Sequence, residues 1–295
     1  MITTGDWPSA LEPIARGNHD IGLEKVPAEK DMFYNTRTGK KKTETYLEMG
    51  DMRPMGEFKG SIDYDDVSQG YEFTKTATQF AKGIKLERQL IDTDQLSVVE
   101  DITQGLGRKA HERIATDIWF PFNNAFNTSI TTLDGLALCS TAHTSSNGGS
   151  NQSNRGTTAF GPIAVESTRI LMKKFLSNTD SRININPDTI IGPEDIFEAV
   201  FEVINASGKV DTAVNNPNFH KGKYNFVHSV WCDDTNNWWM VDSRLMKKYM
   251  DWFDIAELEF FKAKDFDGLT AKFADYMHYG YIPRDWRFAF GHEVS

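Results

Sequence analysis

The stretch that decides the fold is residues 97–122, SVVEDITQGLGRKAHERIATDIWFPF. Ser97 and Glu100 form a capping-box pair, which satisfies two backbone N–H groups at the start of a helix. Apolar residues then recur at spacings of three and four, as on one face of an α-helix: Val99, Ile102, Leu106, Ala110, Ile114, Ile118 and Phe122. From Ser97 to Phe120 such a helix is about 36 Å long at roughly 1.5 Å per residue, and Pro121 should end or kink it.

Two segments of different character precede this helix. Residues 1–32 show little periodicity and contain three prolines, which predicts an extended arm without a core of its own. Residues 43–86 show strand-like alternation in three runs separated by glycines, near residues 43–47, 58–64 and 71–77. We expect a protruding β-hairpin over residues 33–76. It should need a partner surface, because isolated hairpins are marginally stable in water.

Helices and strands alternate after the central helix. Residues 144–157 form a polar, exposed loop, and Gly161-Pro162 opens a helix that should reach about Leu176. A buried strand is expected at residues 188–191, followed by a helix with the apolar face Ile196, Phe197, Val200, Phe201 and Ile204. The remaining predicted strands are a hairpin formed by residues 226–232 and 238–242, and runs near residues 258–261, 273–279 and 286–290.

The composition argues against several classes of protein. The net charge is −10, whereas proteins that grip nucleic acid carry a basic excess to neutralise phosphates. The basic cluster of Arg37 and residues 40–42 is interpreted as a solvated turn or a contact for an acidic neighbour. Two cysteines, Cys139 and Cys232, cannot form a disulfide framework and fit a reducing cytoplasm. No apolar run approaches the roughly 20 residues of a membrane span, and the first residues lack a signal-peptide pattern.

Two patterns resemble ligand sites. Residues 105–110, GLGRKA, match a dinucleotide fingerprint from Gly105 to Ala110, but they lie inside the predicted helix, where glycine serves close packing. Cys139, His143, His228 and Cys232 are potential zinc ligands. His228 and Cys232 are about 13 Å apart on a predicted strand at roughly 3.3 Å per residue, too far to share one ion.

Two further patterns are weaker. Cys139 and His143 could form a nucleophilic pair, but a buried thiol and a histidine that fixes a loop is the simpler interpretation. Residues 265–268, DFDG, match part of a calcium loop, yet Tyr276 occupies the position of the closing glutamate. We therefore predict no catalytic, cofactor-binding or metal-binding residues, and hence no enzyme.

Aromatic residues make up 12% of the chain. One group of seven is predicted to be mostly core, with a part of it available for subunit contact: Trp231, Trp238, Trp239, Trp252, Phe253, Phe260 and Phe261.

Several residue runs resemble a known family. Residues 80–88, FAKGIKLER, with Asp92 and Asp94 after them, are similar to the transition from hairpin to long helix in Hong Kong 97-type major capsid proteins of tailed bacteriophages. Three other runs resemble Mu-type major head subunits: residues 133–140, LDGLALCS, with His143 and the polar loop; residues 236–241, NNWWMV; and residues 279–281, YGY, with Trp286 and Arg287. The resemblance extends over about the whole chain.

The resemblance implies an α+β, Hong Kong 97-like capsid fold. Residues 1–32 would be an N-terminal arm and residues 33–76 an extended β-hairpin, the E-loop. Residues 77–180 and 268–295 would form a P-domain with the long spine helix, and residues 181–267 a mixed α/β A-domain. The implied function is that of a major capsid protein. It would self-assemble into pentamers and hexamers that form the icosahedral phage head around double-stranded DNA, without sequence-specific binding.

The resemblance also implies a place and partners. Assembly in the bacterial host cytoplasm, location in the virion, a portal and a decoration protein are expected, with no membrane partner. Residues 1–32 are too few for a fused scaffolding region, so we expect scaffolding to be a separate protein or unnecessary. We also expect maturation without cleavage at the N-terminus. Two alternatives stay open: an encapsulin-like nanocompartment shell, and a cytosolic α/β enzyme that uses residues 105–110 or Cys139 and His143.

Overall fold

The structure is a computed structural model that describes residues 7–23, 29–49, 51–52, 55–58, 60–62, 64, 69–93, 96–146, 148–208, 217–265 and 269–295. The helices are α1 (Trp7–Leu23), α2 (Glu29–Phe33), α3 (Arg88–Asp92), α4 (Leu96–Asn123), α5 (Pro162–Met172), α6 (Phe197–Asn205) and α7 (Ser243–Tyr249), with a 3₁₀ turn at Glu194–Ile196. The strands are β1 (Asn35–Thr38), β2 (Thr43–Met49), β3 (Gln69–Thr76), β4 (Thr78–Glu87), β5 (Arg155–Gly156), β6 (Thr189–Gly192), β7 (Asn225–His228), β8 (Trp238–Val241), β9 (Met250–Asp265), β10 (Thr270–Pro283) and β11 (Ala289–His292).

The predicted central helix is confirmed as α4, which has 28 residues and is therefore about 42 Å long at roughly 1.5 Å per residue. It begins one residue before the expected cap at Ser97. Pro121 lies inside its last turn and does not end it. Six of the seven residues of the apolar stripe are buried, and Ile102 is half-buried.

The expectation of an extended arm is wrong for residues 7–23, which form α1. The helix continues through Pro13 and packs along α4. Its buried residues Leu11 and Ala15 complete a small core with four residues of α4 and the first sheet: Leu86, Val99, Ala271 and Phe273. The arm is helical because an apolar face was available to it on α4, a tertiary contact that outweighs local proline signals.

Two glycines allow α1 and α4 to approach closely. A Cβ atom on Gly22 would lie 2.0 Å from the carbonyl oxygen of Gln104, and one on Gly107 would lie 2.2 Å from the carbonyl oxygen of His19. The prediction that glycine serves close packing is confirmed for Gly107. Gly105 faces open space, with no atom nearer than 3.9 Å.

The first sheet lies against α4 and has the strand order β1-β9-β10-β4. β1 is parallel to β9, and the other two pairs are antiparallel. The pairing of β9 with β10 extends from Asp265 opposite Thr270 to Met250 opposite Pro283. The domain boundary expected between residues 267 and 268 therefore falls between two paired strands.

The second sheet has the strand order β5-β11-β8-β6-β7. β6, all four residues of which are buried, is parallel to β7 on one side and antiparallel to β8 on the other. The predicted hairpin between residues 226–232 and 238–242 is thus wrong, because β6 lies between the two strands. Alternation located the strands, but it carries no information about which strand occupies the centre of a sheet.

The predicted β-hairpin before the central helix is confirmed as β2 and β3, which pair from Thr43 opposite Thr76 to Met49 opposite Gln69. The middle run near residues 58–64 forms no strand in its described residues. β1 falls in the segment assigned to the hairpin but belongs to the first sheet. Among the described helices, none combines the length and apolar character that crossing a membrane requires.

Replacing Gly107 by alanine should lower the free energy of unfolding by about 1–3 kcal/mol, because the added methyl group forces α1 away from α4. Gly105→Ala, on the same helix but facing open space, should raise it by about 0.5–1 kcal/mol through helix propensity. Urea denaturation of the purified variants measures both values. Equal effects at the two positions would contradict the close-packing account.

Candidate assembly surfaces

The dinucleotide-like run at residues 105–110 lies within α4, which begins at Leu96. A phosphate-binding glycine loop requires free backbone N–H groups at a helix N-terminus. The N–H groups of residues 105–110 are too far along the helix to be free, because only the first four lack an intrahelical acceptor. The structure therefore does not offer the geometry of a dinucleotide site here.

Cys139 is fully buried in the main core, and its Sγ atom packs against Gly291. Burial raises the pKa of the Cys139 thiol, which keeps it neutral. A reactive cysteine needs the opposite change, since the thiolate is the nucleophile. Cys139 is thus a packing residue.

His143 is buried, and both of its ring nitrogens face oxygen atoms. Nδ1 lies 2.6 Å from Asp134 Oδ2, and Nε2 lies 3.0 Å from Asn154 Oδ1. The Asn154 Nδ2 group donates to three backbone carbonyls, those of Leu138, Trp286 and Ala289, so its Oδ1 atom can only accept. His143 is therefore held between Asp134 and Asn154 and has no nitrogen left to activate a nucleophile, and Asn154 connects the 131–156 loop to the end of the chain.

The charge state of this contact follows from its partners. Burial raises the pKa of the Asp134 carboxyl group, but the hydrogen bond and charge of His143 outweigh burial, and the pKa lies below its ordinary value. Asp134 is thus a carboxylate that faces the His143 ring. The polar loop, predicted to be exposed, is anchored at its end by the fully buried Asn154.

The four potential zinc ligands are not assembled into a site. His228 Nδ1 pairs with Glu194, and Cys232 Sγ faces the carbonyl oxygen of Asp234 at 3.8 Å. Over the described ranges, no group of three or more His, Cys, Asp or Glu side chains could hold a metal ion. The calcium-loop pattern lies partly outside the described residues, since these omit residues 266–268.

A buried carboxylate joins the β2–β3 hairpin, α4 and the first sheet. Asp117 of α4 accepts hydrogen bonds from Arg113 Nε at 3.0 Å and Nη2 at 2.7 Å. It also accepts from the hydroxyl groups of Tyr279 at 2.5 Å and Tyr281 at 3.1 Å. Burial and the charge of Asp117 raise the pKa of both tyrosines, which therefore remain protonated donors.

Lys75 brings the base of the hairpin to the same carboxylate. Its ammonium group lies 5.5 Å from the centre of the Tyr281 ring. Burial lowers the pKa of Lys75, and the charge of Asp117 partly opposes this change. The base of the hairpin is thus packed on the body through the Lys75 ammonium group and the Tyr281 ring.

Arg37, from the predicted basic cluster, points to acidic neighbours. Its Nη2 atom donates to the Tyr46 hydroxyl at 2.6 Å and lies 4.0 Å from Asp251. Arg284 Nε lies 3.0 Å from the same carboxylate. Burial raises the pKa of the Asp251 carboxyl group, and the two arginines partly counteract it. Of the two interpretations of the cluster, contact with an acidic neighbour is confirmed for Arg37, while residues 40–42 are exposed.

Farther from its base, the hairpin rests on the body through polar contacts. Glu48 accepts from Asn178 Nδ2 at 2.5 Å, and the Tyr71 hydroxyl lies 2.9 Å from that of Thr144. A cleft of about 500 Å³ lies beside these contacts, between the hairpin and residues near Asn178 and Arg284. The described part of the hairpin forms no apolar core of its own.

Apolar side chains are concentrated at the outer part of this segment. Each of the following is more than half exposed: Leu47, Met49, Met52, Met55, Phe58, Ile62 and Tyr64. A contiguous group of exposed apolar side chains marks an interaction surface in most proteins. We call residues 47–64 the hairpin end.

The core interpretation of the aromatic group is confirmed for Trp238, Trp239, Trp252 and Phe253, which are buried. The other members of the group are partly exposed, and Phe261 is 49% exposed. Most of the group therefore stabilises the subunit itself.

A second exposed apolar surface was missed by the sequence analysis. Phe197 and Phe201 were assigned to the buried face of their helix, but they are 41% and 56% exposed. The buried face of α6 consists of Val200, Val203 and Ile204. One sequence signal could have indicated this surface. Phe197 and Phe201 are spaced i, i+4 and form an apolar stripe of their own, and a helix with two apolar faces can contact two surfaces.

A model of the family described as phage capsid protein matches residues 71–290. This range covers nearly all of the second sheet, the first sheet except β1, and five of the seven described helices. No curated protein matches the sequence, so the similarity to Mu-type head subunits stays a prediction.

Solved capsid structures share the fold. The bacteriophage JBD30 capsid protein matches with a TM-score of 0.59 and 14% identity, over 79% of this chain and 100% of that chain. The capsid protein of Ralstonia phage GP4 matches with a TM-score of 0.57 and 10% identity, over 90% and 87% of the two chains. A virus-like particle from Pyrococcus furiosus matches with a TM-score of 0.50 and 8% identity, over 98% and 100%.

Asp117→Asn should lower the free energy of unfolding by about 2–3 kcal/mol, because the charge that Arg113 and two tyrosine hydroxyls share is lost. Glu112→Gln removes an exposed carboxylate on the same helix, paired with Lys109. It should change the free energy of unfolding by less than about 0.5 kcal/mol. Urea denaturation of both variants is the measurement. Similar small effects would show that the Asp117 contact is not a structural anchor.

Proposed function

The chain belongs to the phage capsid protein family, and from this premise we propose that it is the major capsid protein of a tailed phage. It has a Hong Kong 97-like fold and self-assembles into pentamers and hexamers. These capsomers form the icosahedral head around packaged double-stranded DNA. The observation that carries the proposal is the β2–β3 hairpin, whose exposed apolar end has no core of its own within the described residues.

The hairpin is built to lie on a neighbouring subunit. Two contacts orient its base on the body: the Lys75 ammonium group faces the Tyr281 ring, and the Tyr46 hydroxyl accepts a hydrogen bond from Arg37 of β1. Its outer part makes polar contacts to its own body and exposes methionines and aromatic rings. An isolated hairpin is marginally stable, so burial of the hairpin end on a second subunit supplies the missing apolar contacts.

The division into domains follows the sheets. The hairpin is the E-loop, and the first sheet with α4 forms the P-domain. Residues 250–265 belong to this domain and not to the A-domain, because β9 pairs with β10 and β1. The A-domain then comprises about residues 181–249, centred on β6, β7 and β8, and α1 is the helical part of the N-terminal arm.

Charge fits the enclosure of DNA. A net charge of −10 provides no general attraction for phosphates, so the shell can contain DNA without holding it by sequence or by strong electrostatics. The protein is a component of the virion, and we place its assembly in the cytoplasm of the bacterial host. A separate scaffolding protein, a portal and a decoration protein are the proposed partners.

The two alternatives differ in what supports them. The fold alone does not separate a phage head from a cellular nanocompartment, since the Pyrococcus furiosus virus-like particle shares it. The match to the phage capsid family favours the phage head. Cys139 and His143, which the enzyme alternative would use, do not support it. Cys139 packs in the core, and His143 is held between Asp134 and Asn154.

Replacing residues 44–75 by Asn-Gly should give a folded subunit that does not form stable shells. The design is suited to the fold because Thr43 and Thr76 are paired, the Ala77 N–H donates to the Lys42 carbonyl at 2.9 Å, and Asn-Gly closes a two-residue turn. Thermal unfolding checks the fold, and sedimentation with electron microscopy checks assembly.

A second variant keeps the hairpin and changes only its end. Met55→Ser combined with Phe58→Ser should reduce the shell yield while leaving the unfolding temperature unchanged, because both side chains are exposed in the subunit. Normal shells from the first variant, in which Asn-Gly replaces residues 44–75, would contradict the proposed role of the hairpin.

A further inference from the structure

We propose that the second sheet carries opposite charges at its two ends and that copies of this chain dock head to tail through these ends. The inference rests on the proposed function and adds the partner surfaces. The strand directions define the ends: β6 and β7 run in the same direction, and β8 runs in the opposite one. The last residues of β6 and β7 and the first of β8 therefore share one end, and the first residues of β6 and β7 and the last of β8 share the other.

The first of these is the acidic end. Every Lys, Arg, Asp or Glu position in residues 193–198 and 228–237, which adjoin this end, holds a carboxylate: Glu194, Asp195, Glu198, Asp233 and Asp234. All five residues are exposed. Asp195, Asp233 and Asp234 all act on the thiol of Cys232, whose pKa burial raises to about 12, so the two segments are adjacent in space.

The acidic end is also apolar. Phe197 and Phe201 of α6 stack with ring centres 6.1 Å apart, and Phe197 contacts the His228 ring of β7 at 5.0 Å. Val230, which follows β7, is 80% exposed. A concavity of about 320 Å³ lies between α6 and β7. Exposed aromatic rings within a field of one sign are the composition of a subunit interface and not of a solvated face.

The opposite end is the basic end. It carries four exposed cations: Lys173, Lys174, Arg182 and Arg244. They lie around the segment that precedes β6. Lys173 Nζ donates to Asn186, Arg244 donates to the Asn184 carbonyl, and Arg182 is bridged to Leu176 beside the two lysines that follow α5.

Carboxylates near the basic end have partners within the subunit. Asp242 is buried and caps α7 by accepting from Leu245 N–H at 3.0 Å. Asp180 accepts from Ser150, and Asp285 pairs with Arg287. Among the charged side chains named for this end, four exposed cations therefore stand against one exposed carboxylate, Asp180, and the balance is positive.

A second copy is the partner that fits both ends. The acidic end of one copy and the basic end of the next are complementary, whereas two equal ends repel each other. Contact between two different patches of the same chain is heterologous, and it generates a ring when the rotation closes. Charge complementarity of this kind also fixes the direction in which each subunit enters the ring.

Charge reversal tests this pairing with the full-length protein, expressed under conditions in which the wild type forms shells. Asp195→Lys with Glu198→Lys, and separately Lys173→Glu with Lys174→Glu, should each lower shell yield at least about tenfold, because like charges then meet. The variant with all four substitutions should regain most of the yield, since attraction is restored with the signs exchanged. Yield is measured by sedimentation and electron microscopy, with thermal unfolding to verify the fold.

Lys40→Glu with Lys41→Glu is the matched control for the basic end, because it changes the net charge by the same amount at exposed positions elsewhere. It should assemble as the wild type does. The head-to-tail pairing is overturned if the single-end variants assemble normally, if the four-substitution variant stays defective, or if the control loses assembly equally. In these cases wild-type shells still support the proposed function, whereas a wild type that never assembles would contradict that function itself.

Discussion

The burial of Asp117 is the constraint on which the arrangement of this subunit depends. A carboxylate inside a helix that covers a sheet must be matched by donors, because an unpaired buried charge costs several kcal/mol. Arg113 supplies two of them from the same helix, and Tyr279 and Tyr281 supply the others from the long strand β10. These bonds fix the register of the helix on the sheet. Lys75 extends the same electrostatic contact to the base of the hairpin.

This arrangement separates a stable body from surfaces that the subunit leaves incomplete. Large aromatic residues such as Trp238, Trp239 and Trp252 are fully buried in the body of the subunit. The hairpin end and the phenylalanines of α6 remain exposed, although apolar surface of this kind is stabilised by removal from water. A protein that works as a single subunit gains nothing from such surfaces, whereas a shell protein buries them against its neighbours.

The sequence predicted the parts of the fold that depend on local patterns. The long helix was visible because one stripe of apolar residues persists from Val99 to Phe122, and the hairpin because alternation and glycines coincide. The prediction of an extended arm was wrong because residues 7–23 form a helix. Close contact with Gly107, a position distant in sequence, stabilises this helix. The order of β7, β6 and β8 was wrong for the same reason, since pairing is decided by the core and not by neighbouring residues. Of the candidate surfaces, α6 was missed because Phe197 and Phe201 were counted as buried with Val200.

The decisive experiment is electron microscopy of the purified protein, expressed with the genes that neighbour its own. We expect closed shells or isolated capsomers with fivefold and sixfold symmetry. A homogeneous population of small particles that never assembles would contradict the capsid function.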